Sequence, residues 1–143
     1  MKKTFNKTLS ANDVGTTGGH QGGILIPKKE NELRAFLPHL DPSVKNPDAW
    51  LECRDENGKV RRFRFVYYNN KLHDPAGTRN EYRITYMTAY FRDMGAREKD
   101  IFEISKSDDS SCYNIKIVRQ EQPTALATQA VRIKIRTGWQ RVH

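Results

Sequence analysis

Residues 9–27 read LSANDVGTTGGHQGGILIP, a polar, glycine-laden run that turns apolar only at Ile24, Leu25 and Ile26. Five glycines (Gly15, Gly18, Gly19, Gly22 and Gly23) are interleaved with Ser10, Asn12, Asp13, Thr16, Thr17, His20 and Gln21. Such a segment has too little apolar surface to form a core of its own. Glycine lets a backbone approach a partner closely, and short polar side chains supply donors and acceptors that can be aimed at a ligand. A flexible linker has a similar glycine content but rarely so mixed a set of hydrogen-bonding groups. The stretch therefore predicts a recognition loop that enters a short buried strand at Ile24–Ile26.

The polar loop implies that the core is built downstream, and the alternation there predicts strands. Trp50–Arg54 and Val60–Tyr68 flank DENGK, whose Asn57-Gly58 pair is a strong hairpin signal. In the second of these strands Phe63, Phe65 and Tyr67 alternate with Arg62, Arg64 and Val66, so aromatics can face a core while the arginines face out. Those arginines suit either a solvated strand face or phosphate contact. Residues 69–81 (NNKLHDPAGTRNE) form a second polar loop that feeds a strand at Tyr82–Tyr86. Residues 100–106 and 112–119 alternate around a DDSS turn, giving another hairpin, and Val131–Arg136 alternates apolar with basic residues as a last strand.

Helical spacing is weaker. Leu33, Phe36 and Leu37 predict a short amphipathic helix ended by Pro38, whereas residues 87–94 suit a helical turn or a strand. Residues 38–48 carry three prolines and predict an irregular connection that packs little. Six or so short strands with one or two short helices make the fold class mainly β, a mostly antiparallel barrel or sandwich.

At 143 residues the chain is expected to form one domain, residues 1–143, with a real core. Lys and Arg outnumber Asp and Glu by 25 to 17, and the net charge of +8 favours an anionic partner, nucleic acid foremost. Basic residues concentrate in 1–29 and 61–92 and acidic ones in 93–110, which predicts faces of opposite sign. Cys53 and Cys112 are too far apart for a Cys-x-x-Cys site and read as reduced thiols. No apolar run approaches the ~18 residues of a spanning helix, so the expectation is a cytoplasmic protein with no membrane partner.

Catalytic patterns are missing. No Asp or Glu stands two positions before a lysine, no glycine elbow surrounds a serine, the histidines lack metal-ligand spacing, and the glycine-rich loop lacks a Gly-Lys-Ser/Thr ending. The expectation is a binder without catalysis, metal or cofactor. The two polar loops do carry a base-reading inventory: Asn and Gln suit adenine, Arg suits guanine, and Ser, Thr and Lys suit phosphates. The second loop opens at Asn69 and supplies Thr78, Arg79, Asn80 and Glu81 before Tyr82 and Arg83, while Lys28 follows the first strand. Tyr67, Tyr68 and Tyr90 could serve a single-strand or RNA binder as stacking platforms, although their strand setting favours the core.

The stretches LSANDVGTTGGHQGGILIP and FVYYNNKLHDPAGTRNEYRIT strongly resemble the N-terminal effector, DNA-binding domain of EcoRII-type restriction endonucleases. The resemblance is close over residues 9–27 and 67–85 and looser over 86–119. It implies a DNA-binding pseudobarrel, shared with plant B-three transcription-factor domains, that grips the major groove between two arms. The N-arm falls at about residues 9–23, with Ser10 to Gln21 as its contact residues, and the C-arm at about 77–85. Three positions depart from the family pattern: a tyrosine is Leu25, the lysine opening the C-arm is Gly77, and the C-arm lysine is Tyr82.

The implied target is the duplex site CCWGG, where W is A or T, read by a chain that does not cleave it. The implied partners are double-stranded DNA and a covalently linked nuclease domain, with the isolated domain monomeric and residues 120–143 a last strand or extension toward a linker. A transcriptional regulator on the same fold is the competing expectation, and a small nuclease with an unfamiliar site is a third.

Overall fold

The computed structural model describes residues 2–15, 23–119 and 139–142. It contains eight strands and four short helices among them: β1 (Lys2–Thr8), α1 (Ala11–Val14), β2 (Ile24–Ile26), α2 (Asn31–Phe36), β3 (Asp48–Arg54), β4 (Val60–Tyr68), α3 (Asn70–His73), β5 (Glu81–Thr85), α4 (Thr88–Met94), β6 (Ile101–Ser107), β7 (Tyr113–Val118) and β8 (Trp139–Val142). The mainly β expectation holds. The helices exceed the expected one or two because both polar loops fold a four-residue turn, α1 and α3.

The Asn-Gly hairpin forms as its alternation requires. β3 and β4 pair antiparallel from Asp48↔Val66 to Arg54↔Val60, and Gly58 takes φ 79° at the turn. Asp55 organises that turn: its carboxylate accepts from the amides of Asn57 and Lys59, each at 2.9 Å, and pairs with Arg61 Nε at 3.0 Å. Residues 87–94 resolve as a helix because Met87, Tyr90 and Phe91 are buried at helical spacing, with Met94 packed against the core. Gly95 at φ 63° then supplies the left-handed C-cap.

β1 was not expected from its sequence, since Phe5 is the only large apolar residue within KKTFNKT. Its partners impose the strand: seven residue pairs tie it to β6 and four to β8. The connection over 38–48 is irregular as expected, but it does not pack loosely. Leu40 is buried, and the wholly buried Asn69 amide spans the segment, donating to the carbonyls of Pro42 (3.2 Å) and Val44 (2.8 Å) and accepting from the Asn46 amide (2.7 Å).

The sheet runs β2-β5-β4-β3-β7-β6-β1-β8, antiparallel except where β3 meets β7 through two residue pairs. It curls until its two ends meet: the Trp139 indole Nε1 on β8 donates to the Leu25 carbonyl on β2 at 3.0 Å, and Arg141 pairs with Glu32 of α2 at 2.6 Å. Phe5, Leu51, Phe63, Phe65, Ile84, Phe102 and Ile104 fill the interior. Cys53 is buried within it, Cys112 is half-buried, and both are free thiols. The expected strand at Val131–Arg136 lies outside the described residues. No helix among the described residues is long and apolar enough to cross a membrane.

Closing the barrel through one indole makes a direct prediction. Trp139→Phe keeps the edge-on contact with Phe102 (6.1 Å between centroids) but removes the donor to Leu25. Urea unfolding is expected to show a loss of about 1 kcal/mol, the usual net worth of one hydrogen bond. Trp139→Ala is expected to cost about 3–5 kcal/mol by emptying the seam as well.

Candidate nucleic-acid interface

A strand alternates its side chains, so the outer face of the β2-β5-β4-β3 sheet is fixed by register. Leu25, Arg83, Val66 and Asp48 are successive cross-strand partners in one row, and Thr85, Arg64 and Trp50 form the next. Above these rows lies an open groove of about 560 Å³, lined by Asn12, Arg64, Tyr68, Arg79, Arg83, Thr85 and Tyr86. Asn12 of the first polar loop and Arg79 of the second, some seventy residues apart in sequence, thus face one concavity.

The base of the N-arm is built by a capping box. Ser10 Oγ accepts from the Asp13 amide at 3.1 Å while Asp13 Oδ2 accepts from the Ser10 amide at 2.9 Å, and Lys7 pairs with the same carboxylate at 2.5 Å. Asp13 and Lys7 are both buried, so Ser10 and Asp13 hold the turn and present Asn12, which is exposed, to the groove. Gly15 closes α1 in the left-handed conformation, φ 78°. Thr16, Thr17, His20 and Gln21 lie outside the described residues.

The C-arm is anchored on α3. The Asn70 side chain accepts from the Arg79 amide at 2.8 Å, and the Arg79 carbonyl accepts from the Lys71 amide at 3.0 Å. Gly77 fits here because nothing larger can: a Cβ would sit 2.2 Å from the Asn70 carbonyl oxygen. A lysine at that position would meet the same obstruction. Asn80 accepts from the Tyr67 hydroxyl, and Thr78 is exposed.

Three arginines in the groove are each held by a carboxylate. Glu81 takes Arg79 at 3.0 Å and Arg83 at 3.2 Å, Asp48 takes Arg64 at 2.6 Å, and the Arg79 guanidinium also lies 3.8 Å above the Tyr68 ring. Burial pushes the Glu81 carboxyl up, but hydrogen bonds from Arg79 and Arg83 outweigh it and hold the group below its usual value. The side chains are therefore fixed before any ligand arrives, in positions suited to bidentate contact with base edges or phosphates.

Two expected contact residues are placed elsewhere. Tyr82 points inward, because positions 82 and 84 alternate with the outward 81, 83 and 85. It is only 5% exposed, stacked on Tyr67 at 4.1 Å with its hydroxyl accepting from Arg34. Asn69 is 0% exposed and clamps the 38–48 connection, so it presents no surface to a ligand. Lys28 and Arg62 are exposed but do not line the groove, Arg62 lying one row further along β4. The groove also gains Thr85 and Tyr86, which the sequence reading did not select, and Tyr68, which it weighed as a stacking platform but favoured for the core. Tyr68 and Thr85 follow from counting by two from Arg64 and Arg83, whereas Tyr86 has no such signal. Tyr67 and Tyr90 are core residues.

The expected acidic face is muted, since Asp93, Asp100 and Glu103 pair with Arg61, Arg119 and Lys116. Among the described residues no three His, Cys, Asp or Glu side chains converge as a metal ion requires.

The family model for the N-terminal region of restriction endonuclease EcoRII matches residues 2–99. The type II restriction enzyme EcoRII of Escherichia coli is 37% identical over an alignment of 102 residues that covers 62% of this chain and 22% of that enzyme. The AP2/ERF and B3 domain-containing transcription factor RAV1 of Arabidopsis thaliana is 30% identical over 105 residues, 73% of this chain and 26% of the factor. The chain thus spans only about a quarter of the length of these relatives.

Among solved structures, Arabidopsis FUS3 in complex with DNA matches with a TM-score of 0.60 at 21% identity, covering 81% of this chain and 96% of that one. The B3 domain of the UbaLAI restriction endonuclease with cognate DNA also scores 0.60, at 19% identity, covering 98% and 86%. At those identities the likeness establishes the fold, a B3-like pseudobarrel.

The Gly77 contact generates a test of how the C-arm is held. Gly77→Ala must push the Asn70 backbone away and is expected to cost about 1–3 kcal/mol in urea unfolding. Because Asn70 positions Arg79, DNA affinity should fall as well. A variant with wild-type stability and affinity would show that the C-arm does not depend on this approach.

Proposed function

Because the chain belongs to the EcoRII N-terminal family of restriction endonucleases, we propose that it is the effector-binding domain of such an enzyme, recognising double-stranded CCWGG without cleaving it. The observation that carries this reading is the single groove in which Asn12 of one arm meets Arg79 and Arg83 of the other above Arg64 of the sheet. Asn suits adenine and arginine suits guanine in the major groove, where donor and acceptor patterns distinguish all base pairs. The two arms enter that groove from opposite sides, and Lys28 and Arg62, exposed outside its lining, meet the phosphates. Loss of lysines at positions 77 and 82 shifts the contact toward arginine.

In the full-length protein a linked nuclease domain would do the cutting, and occupancy of this domain would stimulate it. A transcriptional regulator is the second reading, favoured by the similarity to RAV1. The reading frame around this chain separates the two, since only the first requires a nuclease domain in the same polypeptide.

Equilibrium binding to a CCWGG duplex, a scrambled duplex and the matching single strand, each over a salt series, tests the proposal. Preference for the first is expected; equal binding to both duplexes would remove CCWGG as the target, and preference for the single strand would overturn groove reading. Arg83→Ala is expected to cost on the order of 1–3 kcal/mol on the CCWGG duplex and little on the scrambled one. Lys28→Ala should weaken binding to every duplex alike and flatten the salt dependence, and an unchanged slope would remove Lys28 from the phosphate contacts.

A further inference from the structure

At the rim of the groove, between the end of β5 and β3, two large aromatic rings stand in solvent. Trp50 is 56% exposed and Tyr86 47% exposed, and their rings stack at 5.3 Å with an interplanar angle of 7°. Water is a poor environment for two such surfaces.

Tyr86 reaches this position by an unusual route. Continued alternation after Thr85 would bury residue 86, but Tyr86 adopts φ 63°, a conformation bulky residues seldom accept, and Met87 takes the buried place instead. Strained backbone of this kind persists where surrounding structure enforces it, and it collects at functional sites. Here its effect is to lay the tyrosine ring against Trp50, at the rim of the groove that Tyr86 itself helps to line. Arg64, the direct cross-strand partner of both Trp50 and Thr85, lies within the same row.

Resting on the DNA-binding reading above, we infer that Trp50 and Tyr86 form an aromatic shelf that packs against the deoxyribose–phosphate backbone flanking the bases read by the arms. In an intact duplex the bases are stacked inside, so a flat apolar surface at the groove rim meets sugars. The neighbouring Arg64, whose Nε is held by Asp48 at 2.6 Å, offers its terminal N–H donors to the adjoining phosphates. The shelf runs from Tyr86, directly after β5, to Trp50 on β3 two strands away, and so it extends the contact sideways from the bases rather than deepening it. Its contribution is insensitive to sequence and depends on how far the duplex continues.

The test uses blunt CCWGG duplexes that either end just outside the site or continue for about one helical turn, ~10 base pairs, on each side. Trp50→Ala and Tyr86→Asn are compared with the wild type, asparagine being chosen because it tolerates positive φ. Trp50→Ala, outside the groove lining, is expected to match the wild type on the short duplex, and both variants are expected to lose about five- to tenfold more affinity on the long duplex than on the short one. That is the size for about 50 Å² of apolar surface no longer withdrawn from water. Tyr86→Asn should keep the wild-type melting temperature or exceed it, which separates loss of the ring from loss of fold.

Equal weakening on both lengths, or none on either, would overturn the shelf. Tighter wild-type binding to a duplex ending in unpaired bases than to the continuous one would also overturn it, in favour of base stacking. Failure of the wild type to prefer CCWGG over a scrambled duplex would defeat the parent reading alone. The dependence on flank length can still be read on either sequence.

Discussion

The structure depends on closing an eight-stranded sheet whose end strands do not pair. An open sheet leaves two rows of backbone donors and acceptors, and closure is the most complete way to remove them. Among the described residues the gap between β8 and β2 is bridged by the indole of Trp139, whose N–H reaches the Leu25 carbonyl. β2 is only three residues long, and its other edge pairs with β5, with Leu25 opposite Arg83. The seam therefore bears directly on the strand that carries a groove arginine. Stability of the barrel and aim of the site share one carbonyl.

The groove shows how a basic chain can favour recognition over mere attraction. Unpaired arginines would bind any phosphate, strongly and in many geometries. Pairing Arg79 and Arg83 with Glu81, and Arg64 with Asp48, lowers the local charge and fixes each guanidinium in one plane. Entropy that a free side chain would lose on contact has already been lost in folding. The depressed pKa of Glu81 extends the charged form of this arrangement further into the acidic range than an ordinary glutamate would allow. Arg79 is further pinned by the Tyr68 ring beneath it.

How much of this was legible in the sequence follows from where the determining contacts lie. The β3–β4 hairpin was readable because its turn residues and its alternation sit within twenty positions of one another. β1 was not, because KKTFNKT becomes a strand through β6 and β8, both far along the chain. Asn69 read as a surface loop residue, since nothing local announces that the carbonyls of Pro42 and Val44 will fold over its amide. Arg64, Arg79, Arg83 and Asn12 could be named from residue type, but their meeting in one groove is a property of the sheet. Tyr86 was hidden most thoroughly, because a single positive φ reverses the face that alternation assigns to it.

Departures from the family pattern have the same origin in packing. Position 82 faces the interior, where the Tyr82 ring lies under the Arg34 guanidinium at 4.8 Å and its hydroxyl accepts from that residue at 3.1 Å. A lysine there would set a second cation against Arg34 and leave the Tyr67 ring without its stacking partner. Tyrosine offers an acceptor and a π face in its place, so Tyr82 and Arg34 are a matched pair. Gly77 likewise answers to the backbone of Asn70, which leaves no room for a Cβ. At both positions packing within the C-arm stands where the family pattern has a positive charge, and the arginines nearest to them, Arg79 and Arg83, are those that Glu81 holds.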